Sequence, residues 1–299
     1  MIEKYYSGVI EQIYNRIGKE TRNIVMANYS NDFSIENLEV IRRYQSNEDN
    51  VFFAYSEFSY NTLVGAYEPF LDIICNMHRR FIGGSFDDFQ KECGVYYLHR
   101  QVLNSYYETG ECFREETVLL NEVAYEQRRM TMAIADMLKK LSEVKPLMIV
   151  INRFQMASKS SIETIKYLID NPCANIGIVL GVNAIVKGTD STVEVWDRIV
   201  ESLEDRSAIY YIGSAGPLKN NVKTTNDDEL YITMNFEQSI QEASNIMEFL
   251  DFEQARRGCR IIEHKLKFED AWIDEKSLRR FYMVYALSLI HISEPTRLR

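Results

Sequence analysis

No run of apolar residues in this chain approaches the roughly 20 needed to cross a bilayer. The longest, such as Ile176–Val182, are only long enough for a strand. A basic excess is also missing. The formal net charge is −10, so nothing electrostatic draws this segment to nucleic acid. The five cysteines (75, 93, 112, 173 and 259) follow no framework, which points to a reducing, cytoplasmic setting. The N-terminal "MIEKYYSGVIEQIYNRIGK" is an amphipathic helix pattern carrying acids, unlike a signal peptide. What remains is an ordinary globular composition, 46% hydrophobic and 26% charged over 299 residues, enough for one large or two modest domains.

The order of elements reads as α/β. "RNIVMAN" (22–28) predicts a short buried strand, and Ser34 suits the N-cap of a helix over "IENLEVIRRYQ". "VFFAYSEF" (51–58) predicts the next strand, giving the strand–helix–strand rhythm of a parallel sheet. A helix with Pro69 in its first turn follows, and the pattern stays helical from Phe86 to Leu141, with "GG" at 83–84 and "ETGE" at 108–111 as breaks. "LMIVIN" (147–152) is a fully apolar strand that Asn152-Arg153 cuts off, and Ser158 or Ser160 can cap "SIETIKYLID". "NIGIVLGVN" (175–183) and "AIYYIG" (208–213) predict two more strands, with a helix around "STVEVWDRIVESL" between them. "NNVKTTNDDE" (220–229) reads as linker, and residues 236–286 are helical only.

The last residues stand apart. "LSLIHISEPTR", Leu287–Arg297, breaks the helix pattern and resembles the translated read-through of a sequencing adapter. The expectation is a non-native tail over 287–299 and a natural chain that continues past Ala286.

Three ordered pieces carry a resemblance: "RNIVMANYSNDFSIENL", "VFFAYSEFSYNTLVGAYEPFLDII" and "LMIVINRFQMASKSSIETIKYLI". Together they resemble the P-loop ATPase module of STAND-type signalling regulators, the AAA-like domain found ahead of helical repeats. The resemblance implies a three-layer P-loop NTPase-like parallel sheet with helices on both faces, over 1–219, including a helical segment 67–145. A linker (220–235) and the start of an all-α helical-repeat region (236–286) would follow. In that family the first piece holds the phosphate loop and the third the Walker B acids.

Both chemical motifs depart from the family pattern. A phosphate loop uses glycines to bring backbone N–H groups around the phosphates, with Lys and Ser/Thr for the terminal phosphates and Mg²⁺. The matching residues here, Asn28, Tyr29, Ser30, Asn31, Asp32, Phe33 and Ser34, include neither Gly nor Lys. Asp32 adds a negative charge, and only Ser34 keeps a hydroxyl. At the Walker B position Asn152 and Arg153 replace the acids. A cation about 4 Å from a metal costs on the order of 4 kcal/mol at an effective dielectric near 20. Asn183 matches a polar sensor position, and a turn asparagine is the plainer reading.

The expected function is therefore a non-catalytic regulatory or scaffolding module of a cytoplasmic signal-transduction protein. It would have no cofactor and no metal, and its partners would be other protein domains, a downstream output domain or further copies of itself. Nucleic acid and membrane are not expected as partners. The first alternative is the regulatory region of a diguanylate cyclase or helix-turn-helix regulator whose output domain lies beyond this chain. The second is an ATP·Mg²⁺-binding ATPase in which Glu57 or Glu68 replaces the lost acid. Cys75-x2-His78 and Cys93-x5-His99 have a zinc-like inventory but the second spacing is unusual, so structural roles are expected. No G-x-S-x-G elbow is present.

Overall fold

The computed structural model describes residues 2–29, 38–46, 50–58, 64–113, 122–183, 209–212, 236–268 and 274–293. Its centre is a sheet of five parallel strands: β1 (Ile24–Tyr29), β2 (Phe52–Glu57), β3 (Leu147–Asn152), β4 (Ile176–Asn183) and β5 (Ile209–Ile212), in the order β2-β3-β4-β1-β5. Every residue of β3 is buried, as its unbroken apolar sequence requires, so the sheet is covered on both faces. Helix α1 (Ile2–Arg16) lies over the face that carries Gly177 and Gly181. A Cβ on Gly177 would sit within 2.9 Å of Ile13 and Ile17, so glycine lets α1 and the turn after it press directly onto β4. The alternate residues of that strand, Ile176, Ile178, Leu180 and Val182, are equally buried on the opposite face.

Between the strands lie α2 (Glu39–Ser46), α3 (Phe70–Met77) with a π-helical turn over His78–Ile82, α4 (Phe86–Glu92), α5 (Tyr97–Thr109), α6 (Val123–Val144) and α7 (Lys159–Asp170). The helical stretch from Phe86 onward breaks at Gly110, within the 108–111 break expected there, and once more at Gly94. Gly94, at φ +71°, ends the first helix one turn after Phe89, a break the sequence reading passed over. Gly110, at φ 73°, closes α5 in the left-handed C-terminal conformation. Ser158 is the cap of α7, accepting the Ser161 N–H.

The described residues of 236–286 fall in helices, as expected: α8 (Phe236–Glu248), α9 (Phe252–Phe268) and α10 (Glu275–Ser293), which contact one another. The end differs from expectation. Helix α10 runs through 287–293 without a break, because Phe281, Val284 and Ser288 continue one buried stripe at helical spacing. The predicted helix at 191–203, the linker at 220–235 and residues Ser30–Ser34 lie outside the described residues.

The helical layer does not stand clear of the α/β body. At the corner between α8 and α9, Phe249 meets the rings of Tyr67 and Tyr106, and Gln254 donates to the Val64 carbonyl at 3.0 Å. Asn245 accepts the Cys112 N–H and donates to the Gly110 carbonyl, both at 3.0 Å.

Candidate functional site

Strands in a parallel sheet all end on one edge, and the ligands of such folds bind there. The register brings the predicted positions to that edge. Tyr29 pairs with Asn183, and Glu57 pairs with Asn152. The β1 end and the β3 end are separated by a single strand, β4, which puts them about 10 Å apart. Asn28–Tyr29, Asn152–Arg153 and Asn183, the stretches expected from the resemblance to hold a phosphate loop, Walker B acids and a sensor, therefore share one edge of one sheet. Ser30, Asn31, Asp32, Phe33 and Ser34 continue from it beyond the described residues.

Asn152 is fully buried. Its Oδ1 accepts the Arg153 N–H at 3.0 Å and lies 3.0 Å from where a Cβ on Gly181 would stand. The Tyr6 hydroxyl of α1 approaches the same point even more closely. Gly181 is thus the opening through which a helix-borne phenol and a strand-end amide come together over β4.

Arg153 takes a left-handed backbone, φ 55° and ψ 40°, which swings its side chain back across β2. Its guanidinium lies 3.2 Å from Glu57 Oε1 and donates to the Phe58 carbonyl at 3.4 Å. The other carboxylate oxygen of Glu57 accepts the Tyr55 hydroxyl at 2.5 Å. Both charged side chains are about one-fifth exposed, so the pair is screened less than a surface pair. The edge around β2 and β3 therefore carries one cation and one anion that satisfy each other.

The serines that follow serve the fold. Ser160 Oγ accepts the Tyr67 N–H at 3.0 Å, and Ser161 Oγ donates to the Glu68 carbonyl at 2.7 Å. The Ser160 N–H reaches Asp251 Oδ2 at 3.4 Å, and Asp251 Oδ1 takes the Gln254 N–H at the start of α9. One buried carboxylate thus serves the N-termini of two helices. Burial pushes the pKa of Asp251 up, against the downward pull of those donors.

The zinc-like inventory is not assembled. His78 Nδ1 pairs with the Tyr107 hydroxyl at 3.1 Å and His99 Nε2 with Glu126 at 2.8 Å. Burial pushes the Cys75 thiol up to about 12 and that of Cys93 to about 11, far from the thiolates that bind metal. Among the described residues no group of three or more His, Cys, Asp or Glu is placed to hold a metal ion. A cleft of about 560 Å³ opens between α6, α7 and the Phe249–Asp251 corner, and its lining includes none of Glu57, Asn152 and Arg153.

The residues missed by sequence reasoning are Tyr6, Tyr55 and Gly181. A glycine inside an apolar strand signals close approach of another chain segment, and that signal was present at 181. No family model matches this chain, and no curated protein is significantly similar to it.

Proposed function

We propose that residues 1–286 form a non-catalytic, AAA-like regulatory module that works by association and conformational change. The reading rests above all on the Glu57–Arg153 pair at the carboxyl edge of the sheet. Where an active module presents an acid to Mg²⁺, this chain presents an amide already occupied by a backbone N–H, and a cation already occupied by a carboxylate. Glu57 would have to give up both Arg153 and Tyr55 to serve a metal. Glu68 is turned toward the Gly65 N–H, which it accepts at 2.8 Å. Neither replaces the missing acid without dismantling local structure.

The sheet order supports the reading, because the ends of β1 and β3 lie on one edge with a single strand between them, as the resemblance requires of a phosphate loop and Walker B strand. The mutually packed α8, α9 and α10 agree with the beginning of a helical-repeat region. Titration calorimetry of the full chain with ATP·Mg²⁺, joined to a phosphate-release assay, tests the proposal. The expected outcome is no saturable heat and no phosphate. Micromolar binding with steady release overturns it.

A further inference from the structure

Helix α8 turns Ser239, Ile240, Ala243 and Ile246 toward the body of the protein. Glu242 stands among them on the same face, one turn before Ile246. Its Oε1 lies 2.7 Å from the point a Cβ on Gly65 would occupy, and Glu68 Oε2 lies 3.5 Å from that point. Two carboxylates, one from the segment entering α3 and one from α8, thus both approach a backbone that has no side chain to separate them. Asp72, in the first turn of α3, supplies a third and accepts the Tyr106 hydroxyl of α5 at 2.9 Å.

The surroundings offer little compensation. Among the described residues, the charged groups acting on Glu242 are Glu68 and Asp72, both of its own sign. Asn245 hydrogen-bonds it from its own helix, and Tyr106 also faces it, as an uncharged phenol that burial holds far above its ordinary pKa. Cys75 of α3, a protonated thiol, faces Tyr106. Arg280 of α10 reaches α8 but donates to Ser244 Oγ at 3.3 Å. A proton shared by two such carboxylates turns repulsion into a hydrogen bond.

We propose that Glu68 and Glu242 form a proton-gated latch: protonated, the pair lets α8 dock on the α/β body, and losing that proton loosens the helical layer.

The direction of titration agrees. Burial, then Glu68 and Asp72, push the Glu242 carboxyl up to about 7, and burial raises Glu68 in the same sense. A carboxyl whose pKa is raised by docking stabilises the docked state fully below its ordinary value, and that contribution is lost as pH climbs through about 7. Asp251, at the same interface, shifts the same way. The latch is independent of whether a nucleotide binds.

Hydrogen exchange of the full chain, comparing wild type with Glu242→Gln at one pH at a time, tests the latch. Near pH 8 the neutral isostere should slow exchange over 236–248 by at least about tenfold, and near pH 4, below the carboxyl's ordinary value, the two proteins should match. Glu68→Gln should behave alike. Equal exchange at both pH values, or faster exchange in the variants near pH 8, overturns the proposal. Should neither variant fold, wild type decides alone. After correction for intrinsic rates, protection of 236–248 must fall relative to that of 147–152 between about pH 5.5 and pH 8, and a constant ratio overturns the latch.

Discussion

Glu57 and Glu68 lie eleven residues apart in the chain, yet the protein treats them in opposite ways. Glu57 has a guanidinium at 3.2 Å and a phenol at 2.5 Å. Glu68 faces two further carboxylates and a backbone N–H. The first setting is self-neutralised and has no charge left to offer a ligand. The second gathers like charges at a buried contact, the setting proposed above to respond to a proton. The contrast separates a pair closed on itself from a cluster whose charges lack such compensation.

The largest effect expected from breaking this comparison is at Arg153. Arg153→Ala leaves Glu57 partly buried without its cation and should lower unfolding free energy by about 3 kcal/mol, measured by urea denaturation near pH 7. A loss under about 0.5 kcal/mol would place the pair with ordinary surface pairs. Asn152→Asp restores an acid to the strand end but buries it. It should destabilise by about 2 kcal/mol. Because burial raises that carboxyl's pKa, the loss should be smaller near pH 5 than near pH 8, which the same denaturation series reads directly.

Backbone geometry gives a finer test. Arg153 has a positive φ that glycine adopts freely, so Arg153→Gly should be about 1 kcal/mol more stable than Arg153→Ala while losing the same ion pair. Equal stabilities would remove strain from the account. The smallest effect is expected far from either carboxylate. The Arg279–Glu275 pair on α10 is 79% exposed on both sides, and Arg279→Ala should leave the melting temperature unchanged.

Much of the framework was readable from the chain. Unbroken apolar runs such as Leu147–Ile151 can only be strands buried on both faces, and the structure places them there. The Asn152-Arg153 interruption marked the strand end correctly. Pairing across the edge was not readable, because nothing local indicates that Arg153 adopts a left-handed backbone and reaches back to Glu57. The encounter of Glu242 with Glu68 lies 174 residues apart in sequence and was equally hidden. On a helical wheel Glu242 is simply one acid among the apolar positions of α8. The continuation of α10 through 287–293 was misread because its buried stripe is thin, held by a serine at 288 rather than by a large apolar side chain.

The central proposal is that the carboxyl edge of the sheet does not hold a triphosphate and its metal. Thermal unfolding of the full chain with and without millimolar ATP·Mg²⁺ tests it most directly, since any ligand that binds only the folded state raises stability by RT ln(1 + [L]/Kd). The account predicts superimposable unfolding curves. An upward shift of several degrees that is abolished when ATP is omitted and Mg²⁺ retained would contradict it.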